Sequence, residues 1–449
     1  MPLWFQTALL PQGWTDGVRL STASGAVVTV EIDVAPSGDD ERHAIALPGL
    51  CNVHSHGFQR GMAGLAEVRG PEGDNFWTWR EVMYRFLDRL DPGQVEAITA
   101  LAYAEMLERG FTRAGEFHYL HHTPSGTPYA NIGELTERIA AAAEVTGIGL
   151  TLLPVFYAHA NFGGAPPAPG QRRFINTVDR FAALVDVSRK ALTNLPDANL
   201  GVAPHSLRAV TPDELEAILP LARESPIHIH AAEQTKEVDD CIAWSGQRPV
   251  KWLLDHGGVD EHWCLVHATH LTQTETARLA NSGAVAGLCP ITEANLGDGI
   301  FPARNYLNLD GRIGIGTDSN VQIDAAAELR ALEYAQRLAT RSRNVLSDEE
   351  GRSTGRTLFE RALAGGNQAL GQERYGIREG ASADLVSLNV EDTAFFGRKC
   401  DAVLDSWIFA GGQIDCVWRR GHKLVQQGRH IAREAVVASY RRAIESVLE

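Results

Sequence analysis

Val53-His54-Ser55-His56 is the stretch on which the fold turns. It closes a short, largely apolar run, and its two histidines stand two apart, so on a regular strand both imidazoles project to one face. Taken alone, His-x-His fits a surface strand as well as a barrel interior. Four segments downstream decide between them: Ala203-Pro204-His205, His228-Ile229-His230-Ala231-Ala232-Glu233, Val266-His267-Ala268-Thr269-His270 and Gly316-Thr317-Asp318-Ser319. Each sets a metal-ligand or acid/base residue at the end of a similar run. Five such ends in one chain read as one site at one end of a closed parallel sheet.

Outward from these segments, strand-like runs fall at 111–118, 148–157, 199–204, 226–230, 263–267, 284–288 and 312–317, with a first strand just before His54. Helix-like stretches lie between them, with recognisable starts. Asp91-Pro92 opens a helix running towards Arg109 and stopped by Gly110. Thr211-Pro212-Asp213-Glu214 opens another, and Thr272-Gln273-Thr274-Glu275 is a capping box for a helix ending near Gly283. Strands alternating with helices predict a parallel sheet, and eight such units between about 50 and 320 fit the length of a TIM-type (β/α)₈ barrel. That fold gathers its chemistry at the C-terminal ends of the strands, where the His and Asp residues stand.

The flanks carry short β runs and turn glycines, as in Ala26-Val27-Val28-Thr29-Val30 and Ala383-Asp384-Leu385-Val386. The expected organisation is an α/β chain in which residues 1–48 form the first part of a small β-sandwich and 49–371 the barrel. Residues 372–449 supply the second part of the sandwich, with a helix at 434–448 closing it. Two insertions, 57–90 and 159–171, are long for connections in a compact domain and read as lids, interface elements or surface loops.

Composition narrows the function. A chain of 449 residues with 44% hydrophobic content buries a large core, and 22% charged residues argue against wholesale disorder. A net charge of −15 argues against nucleic acid as partner and gives no global steering to an anionic substrate, so an anion site must be built locally from arginines. The cysteines at 51, 241, 264, 289, 400 and 416 include no Cys-x-x-Cys pair and suit buried thiols in a reducing compartment. The start, Met1-Pro2-Leu3-Trp4, has no signal-peptide pattern, and no run is long enough to span a membrane, so the expectation is a cytoplasmic protein.

His54, His56, His230 and Asp318 together make three imidazoles and a carboxylate. That N₃O set suits Zn²⁺, with Fe²⁺ as the alternative. A second ion needs a bridging group such as a carboxylated lysine, and strand four ends in Pro204-His205-Ser206 instead. One divalent ion per subunit is expected.

These motifs resemble the amidohydrolase superfamily, in its mononuclear aminohydrolase branch, over nearly the whole chain. Gln59, Trp79-Arg80, Tyr119 and Arg208 are most similar to the iminohydrolases of histidine degradation. The resemblance implies hydrolytic deimination of an N-formimino-glutamate-type substrate, an anionic amidine, by metal-activated water attacking the C=N carbon. It implies Asp318 as ligand and proton acceptor, His267 as the group orienting the water, and Glu233 as the acid for the departing nitrogen. Gln59, Arg80, Tyr119, His205 and Arg208 would hold the substrate, with Arg60, Arg69 and Arg85 as rivals of Arg80 in the same loop. A homodimer is implied as well. Two alternatives stay open: an aminohydrolase of a guanine-, cytosine- or adenosine-type ring, and a non-catalytic scaffolding relative. Paired arginines speak against the first and the complete ligand set against the second.

Overall fold

The computed structural model describes residues 2–70, 73–347 and 349–449. Met1, and Pro71 and Glu72 of the long first insertion, lie outside the described residues.

Eight strand positions run parallel. They are Leu50–Ser55, Phe111–His118, Gly149–Phe156, the pair Asn199–Leu200 and Ala203–Pro204, Ile227–Ala231, Trp263–His267, Val285–Leu288 and Arg312–Ile315. Each pairs with the next, and the eighth returns to the first through Ile315 opposite Asn52. Single bridges, Val202 to Ile227 and Ser206 to His230, join the fourth position to the fifth and close the barrel. The fourth position is broken at Gly201-Val202, and this bends His205 back towards His230, whose backbone N–H donates to the His205 carbonyl at 3.0 Å. Helices start where their caps stand: Asp91 and Thr272 accept from the backbone three residues on, each in a reciprocal capping box. The helix Thr354–Ala369 ends against the barrel floor, where the Ala369 carbonyl accepts from His228 and the Leu370 carbonyl from Thr151 and Asn199.

The chain ends pair in space, as one continuous eight-stranded sheet. Its order is 429–430, 422–426, 414–419, 385–388, 41–48, 3–10, 13–23, 26–31, antiparallel throughout except where 3–10 meets 41–48. The apolar faces of these strands enclose their own core, which includes Phe5, Val18, Leu20, Leu385 and Trp418. Two features differ from the flank reading. The helix Arg433–Leu448 does not close the sheet; Arg433 pairs with Glu105 and Glu108, and Arg89 donates to the Val447 carbonyl, so it lies along the barrel helix Pro92–Glu108. Asp401–Ala410 is a further helix within the C-terminal flank, where Arg330 donates to the Ile408 carbonyl and Arg356 pairs with Asp401. An amphipathic stripe declares that a helix is buried, not which neighbour buries it.

Candidate metal centre and active site

The strand ends bend sharply where the site begins. Ala232, His267, Ala268, Asp318 and Asn320 all have φ between 42° and 66°, a left-handed backbone that non-glycine residues seldom adopt. The first and eighth strands clasp here: the backbone N–H groups of Thr317 and Asp318 donate to the His54 carbonyl, and that of His56 to the Asp318 carbonyl. Gly316 permits the clasp, since a Cβ there would stand 2.8 Å from the His54 carbonyl oxygen.

His54, His56, His230 and Asp318 converge, with one ligand atom of each lying within 4.8 Å of the others. His54 Nε2 is 3.1 Å from His230 Nε2 and 3.4 Å from Asp318 Oδ1, and His56 Nε2 is 3.2 Å from the same oxygen. Two rings are aimed from behind. His56 Nδ1 donates to the Phe117 carbonyl at 2.9 Å and His230 Nδ1 to the His205 carbonyl at 3.0 Å, which leaves each Nε2 lone pair facing the cluster. Burial pushes His54 down to about 3 and His230 well below its usual range, with neighbouring imidazoles adding to the effect, so these rings are neutral and ligand-competent. Burial opposes ionisation of Asp318, but the adjoining His54 and His56 rings outweigh it and hold the carboxyl well below its ordinary value.

Beside the cluster stand Glu233 and His267, both buried. His267 Nε2 lies 3.8 Å from Glu233 Oε1 and 4.0 Å from Asp318 Oδ2. Burial pushes the Glu233 carboxyl up to about 7 against the pull of His267 and Arg208. Burial pulls the other way on His267, yet Glu233, Glu293 and Asp318 together raise it. Glu237 fixes the turn that presents Glu233, accepting from the backbone N–H of Ala232 at 3.0 Å and of Glu233 at 3.1 Å.

A cavity of about 60 Å³ opens over this group. Its wall holds His56, Gln59, Arg80, Tyr119, His205, Arg208, His230, Glu233, His267 and Asp318; His54 lies buried beneath. Gln59 Nε2 donates to the Tyr119 hydroxyl at 2.8 Å, which leaves Gln59 Oε1 buried without a partner. The Arg208 guanidinium sits 5.9 Å from the Phe76 ring and 5.8 Å from Trp77, and Arg80 sits 4.6 Å from Trp77. Arg208 Nη2 is 3.7 Å from Glu233 Oε2, and Arg80 Nε and Arg208 Nε have no hydrogen-bond partner. The rivals of Arg80 lie elsewhere. Arg60 is tied to Glu105 and to the Asn320 and Val321 carbonyls, while Arg69 and Arg85 line a separate cavity. His270 is outside the pocket, its Nε2 on the Asp298 carbonyl.

The first insertion is a wall of this site, since Phe76, Trp79, Met83 and Tyr84 join Gln59 and Arg80 in the lining. The 159–171 segment lies against the fifth strand's helix, where Phe162 stacks on Trp244, and its last residue, Gln171, holds the Tyr157 hydroxyl at 2.7 Å. Sequence reasoning missed Tyr157 and Phe174 in the wall and Glu237, Glu293 and Asp298 behind it. The available signal was position: Glu237 and Glu293 each fall four residues after a segment that ends a barrel strand, Glu233 and Cys289.

Residues 45–414 match the amidohydrolase family, and residues 4–44 match the N-terminal domain of formimidoylglutamate deiminase HutF. A formimidoylglutamate deiminase of Pseudomonas aeruginosa is 48% identical over 451 residues, covering 100% of this chain and 99% of that protein. The crystal structure of an amidohydrolase from Brucella melitensis is 55% identical and superposes with a TM-score of 0.97 over the full length of both chains. An adenosine deaminase from Xanthomonas campestris, with bound zinc, shares the fold at 23% identity, with a TM-score of 0.82 over 100% of this chain and 98% of that one. The chain belongs to the amidohydrolase family, a metal-dependent family, and carries a His-His-His-Asp cluster that can hold an ion.

Proposed function

We propose that this chain is a metal-dependent deiminase that hydrolyses N-formimino-L-glutamate to N-formyl-L-glutamate and ammonia in histidine degradation. What carries the reading is the placing of Arg208 and Arg80 in the wall of a small pocket above the His-Asp cluster. Two guanidiniums beside an amide and a phenol suit a dicarboxylate tail, and they leave the amidine head facing the cluster. The nearly full-length relative named formimidoylglutamate deiminase supports the same substrate.

The residues fit an ion on their own geometry. Two imidazole nitrogens 3.1 Å apart and a carboxylate oxygen 3.2–3.4 Å from two of the rings are an unfavourable packing of lone pairs without a cation between them. His54, His56, His230 and Asp318 would hold it, and the mixed nitrogen and oxygen donor set favours zinc. A divalent ion there supplies Lewis acidity, making water a nucleophile near neutral pH.

The chain's own groups do the rest. Arg208, Arg80, Gln59, Tyr119 and His205 orient the substrate and exclude water around it. Asp318 Oδ2 takes up the proton of the attacking water, and His267 Nε2, 4.0 Å from it, orients that water. Glu233, its carboxyl raised by burial, donates a proton to the nitrogen that leaves as ammonia. Six unpaired cysteines, five of them buried, favour the cytoplasm.

The test is ammonia release by zinc-loaded protein given N-formimino-L-glutamate, with guanine, cytosine and adenosine alongside. Release from the formimino compound alone is expected. Release only from a nucleobase or nucleoside would overturn the substrate while keeping the chemistry.

A further inference from the structure

We infer that Glu293 is a positioning residue for the hydrolytic step, acting through His267; the inference rests on the role proposed for His267 above. Glu293 sits in the short helix Pro290–Leu296 that follows the seventh strand, and its carboxylate is buried. One oxygen, Oε1, serves two donors: the backbone N–H of Cys289 at 2.8 Å and His267 Nδ1 at 3.2 Å. The carboxylate therefore ties the end of the sixth strand to the end of the seventh, and it does so through an acid/base ring.

The consequence lies on the other side of that ring. With Nδ1–H given to Glu293, the nitrogen facing the site is Nε2. That atom is buried and has no hydrogen-bond partner. Its distances of 3.8 Å to Glu233 Oε1 and 4.0 Å to Asp318 Oδ2 exceed direct hydrogen bonds and leave room for a polar atom among the three groups. A ring at the end of a backbone with φ of 66°, followed by one at 47°, needs an anchor to stay in that orientation. Glu293 is that anchor: holding Nδ1, it fixes which ring nitrogen faces the site and at what angle. The neighbouring buried carboxylates do a different job. Glu237 and Glu328 accept from backbone N–H groups, and Glu116 from Gly57 N–H and the Tyr103 hydroxyl. None of those five bonds reaches the acid/base pair's side chains.

A double-mutant cycle on the full, zinc-loaded chain tests this. Gln at 293 keeps an acceptor for Cys289 N–H while removing the charge. Glu293→Gln should lower kcat about 10- to 100-fold, with KM within about threefold and metal content unchanged. In a His267→Asn background the same change should cost less than about threefold. An undiminished kcat in Glu293→Gln overturns the inference. So does an equal loss in both backgrounds, which would make Glu293 a support for the turn alone. Full turnover by His267→Asn would remove the role proposed for His267, and that result is distinguishable because it needs no change at 293. A measurement on the unmutated protein does not depend on any variant folding: ¹⁵N NMR of histidine-labelled enzyme should show His267 protonated at Nδ1, and an unprotonated Nδ1 overturns the assignment.

Discussion

Two clusters of buried charge stand at opposite ends of the barrel, and they are built on opposite terms. At the floor, Arg113 donates to Asp197 at 2.8 Å and to the Leu150 carbonyl. Arg419 reaches in from the terminal sheet to bond Asp197 at 2.5 Å and Asp384 at 3.1 Å. Its charges answer one another, and of these two guanidiniums only Arg419 Nε goes without a partner. At the mouth, His54 Nδ1, Gln59 Oε1, Arg80 Nε, Arg208 Nε, His267 Nε2 and Asp298 Oδ2 are all buried and unpaired. Buried polar atoms are ordinarily paired within the protein, so six such atoms gathered in one region set this end apart from the floor. The floor fastens one sheet to another. The mouth holds groups ready for a ligand.

That contrast predicts that the two ends separate stability from turnover. The largest effect belongs to the mouth: Glu233→Gln should lower kcat by about 10³-fold, within the range that acid–base groups contribute, while thermal unfolding and metal content stay as they were. Normal turnover would remove Glu233 from the reaction. Next comes the floor. Arg113→Met takes one of two guanidiniums from the half-buried Asp197 and should cost about 2 kcal/mol in urea unfolding, with kcat of the folded protein unchanged. A matching loss of kcat would show that the floor reaches the chemistry and that the ends are not independent.

The barrel was legible because its signals are local. Phe111–His118 follows the glycine stop at Gly110 and precedes a loop, and its strand runs over those same residues. The capping boxes at Asp91 and Thr272 needed no tertiary information. The convergence of His54, His56, His230 and Asp318 was legible because a parallel barrel sends every strand end to one rim. The continuity of the terminal sheet was not, since hydrogen bonding between 41–48 and 385–388 joins segments far apart in the chain. Glu237 and Glu293 were hidden for another reason. A glutamate in the first turn of a helix is ordinary, favoured there by the helix dipole, and only the folded chain shows it turned towards a strand end.

His118 is where the comparison is most easily broken, and its effect is the smallest. It lies outside the pocket, buried, with its ring 5.3 Å from that of His121, and neither ring nitrogen has a partner. If unpaired polarity alone marked function, His118 would belong to the mouth. Its surroundings argue otherwise. Burial, with a smaller contribution from His56, pushes its pKa from 6.5 down to about 3, so the folded protein holds it neutral where the unfolded chain does not. A depressed folded value fixes the sign: the stability it permits is complete above pH 6.5 and is lost as pH falls from there towards 3, because the unfolded state takes up the proton first. His118→Leu removes that linkage and a pair of unsatisfied atoms while keeping an apolar side chain of similar size. At pH 7.5 it should change the free energy of urea unfolding by less than about 1 kcal/mol and leave kcat/KM unchanged. At pH 5.0 it should be more stable than the parent, by on the order of 2 kcal/mol at most. Protonation of the metal-site histidines weakens both proteins alike at that pH, so the difference between them isolates position 118. A gain under acid with full turnover sharpens the contrast: unpaired atoms signify function only where they face a cavity. A loss of turnover at pH 7.5 breaks it, because the functional region would then extend behind the second strand, beyond the pocket wall.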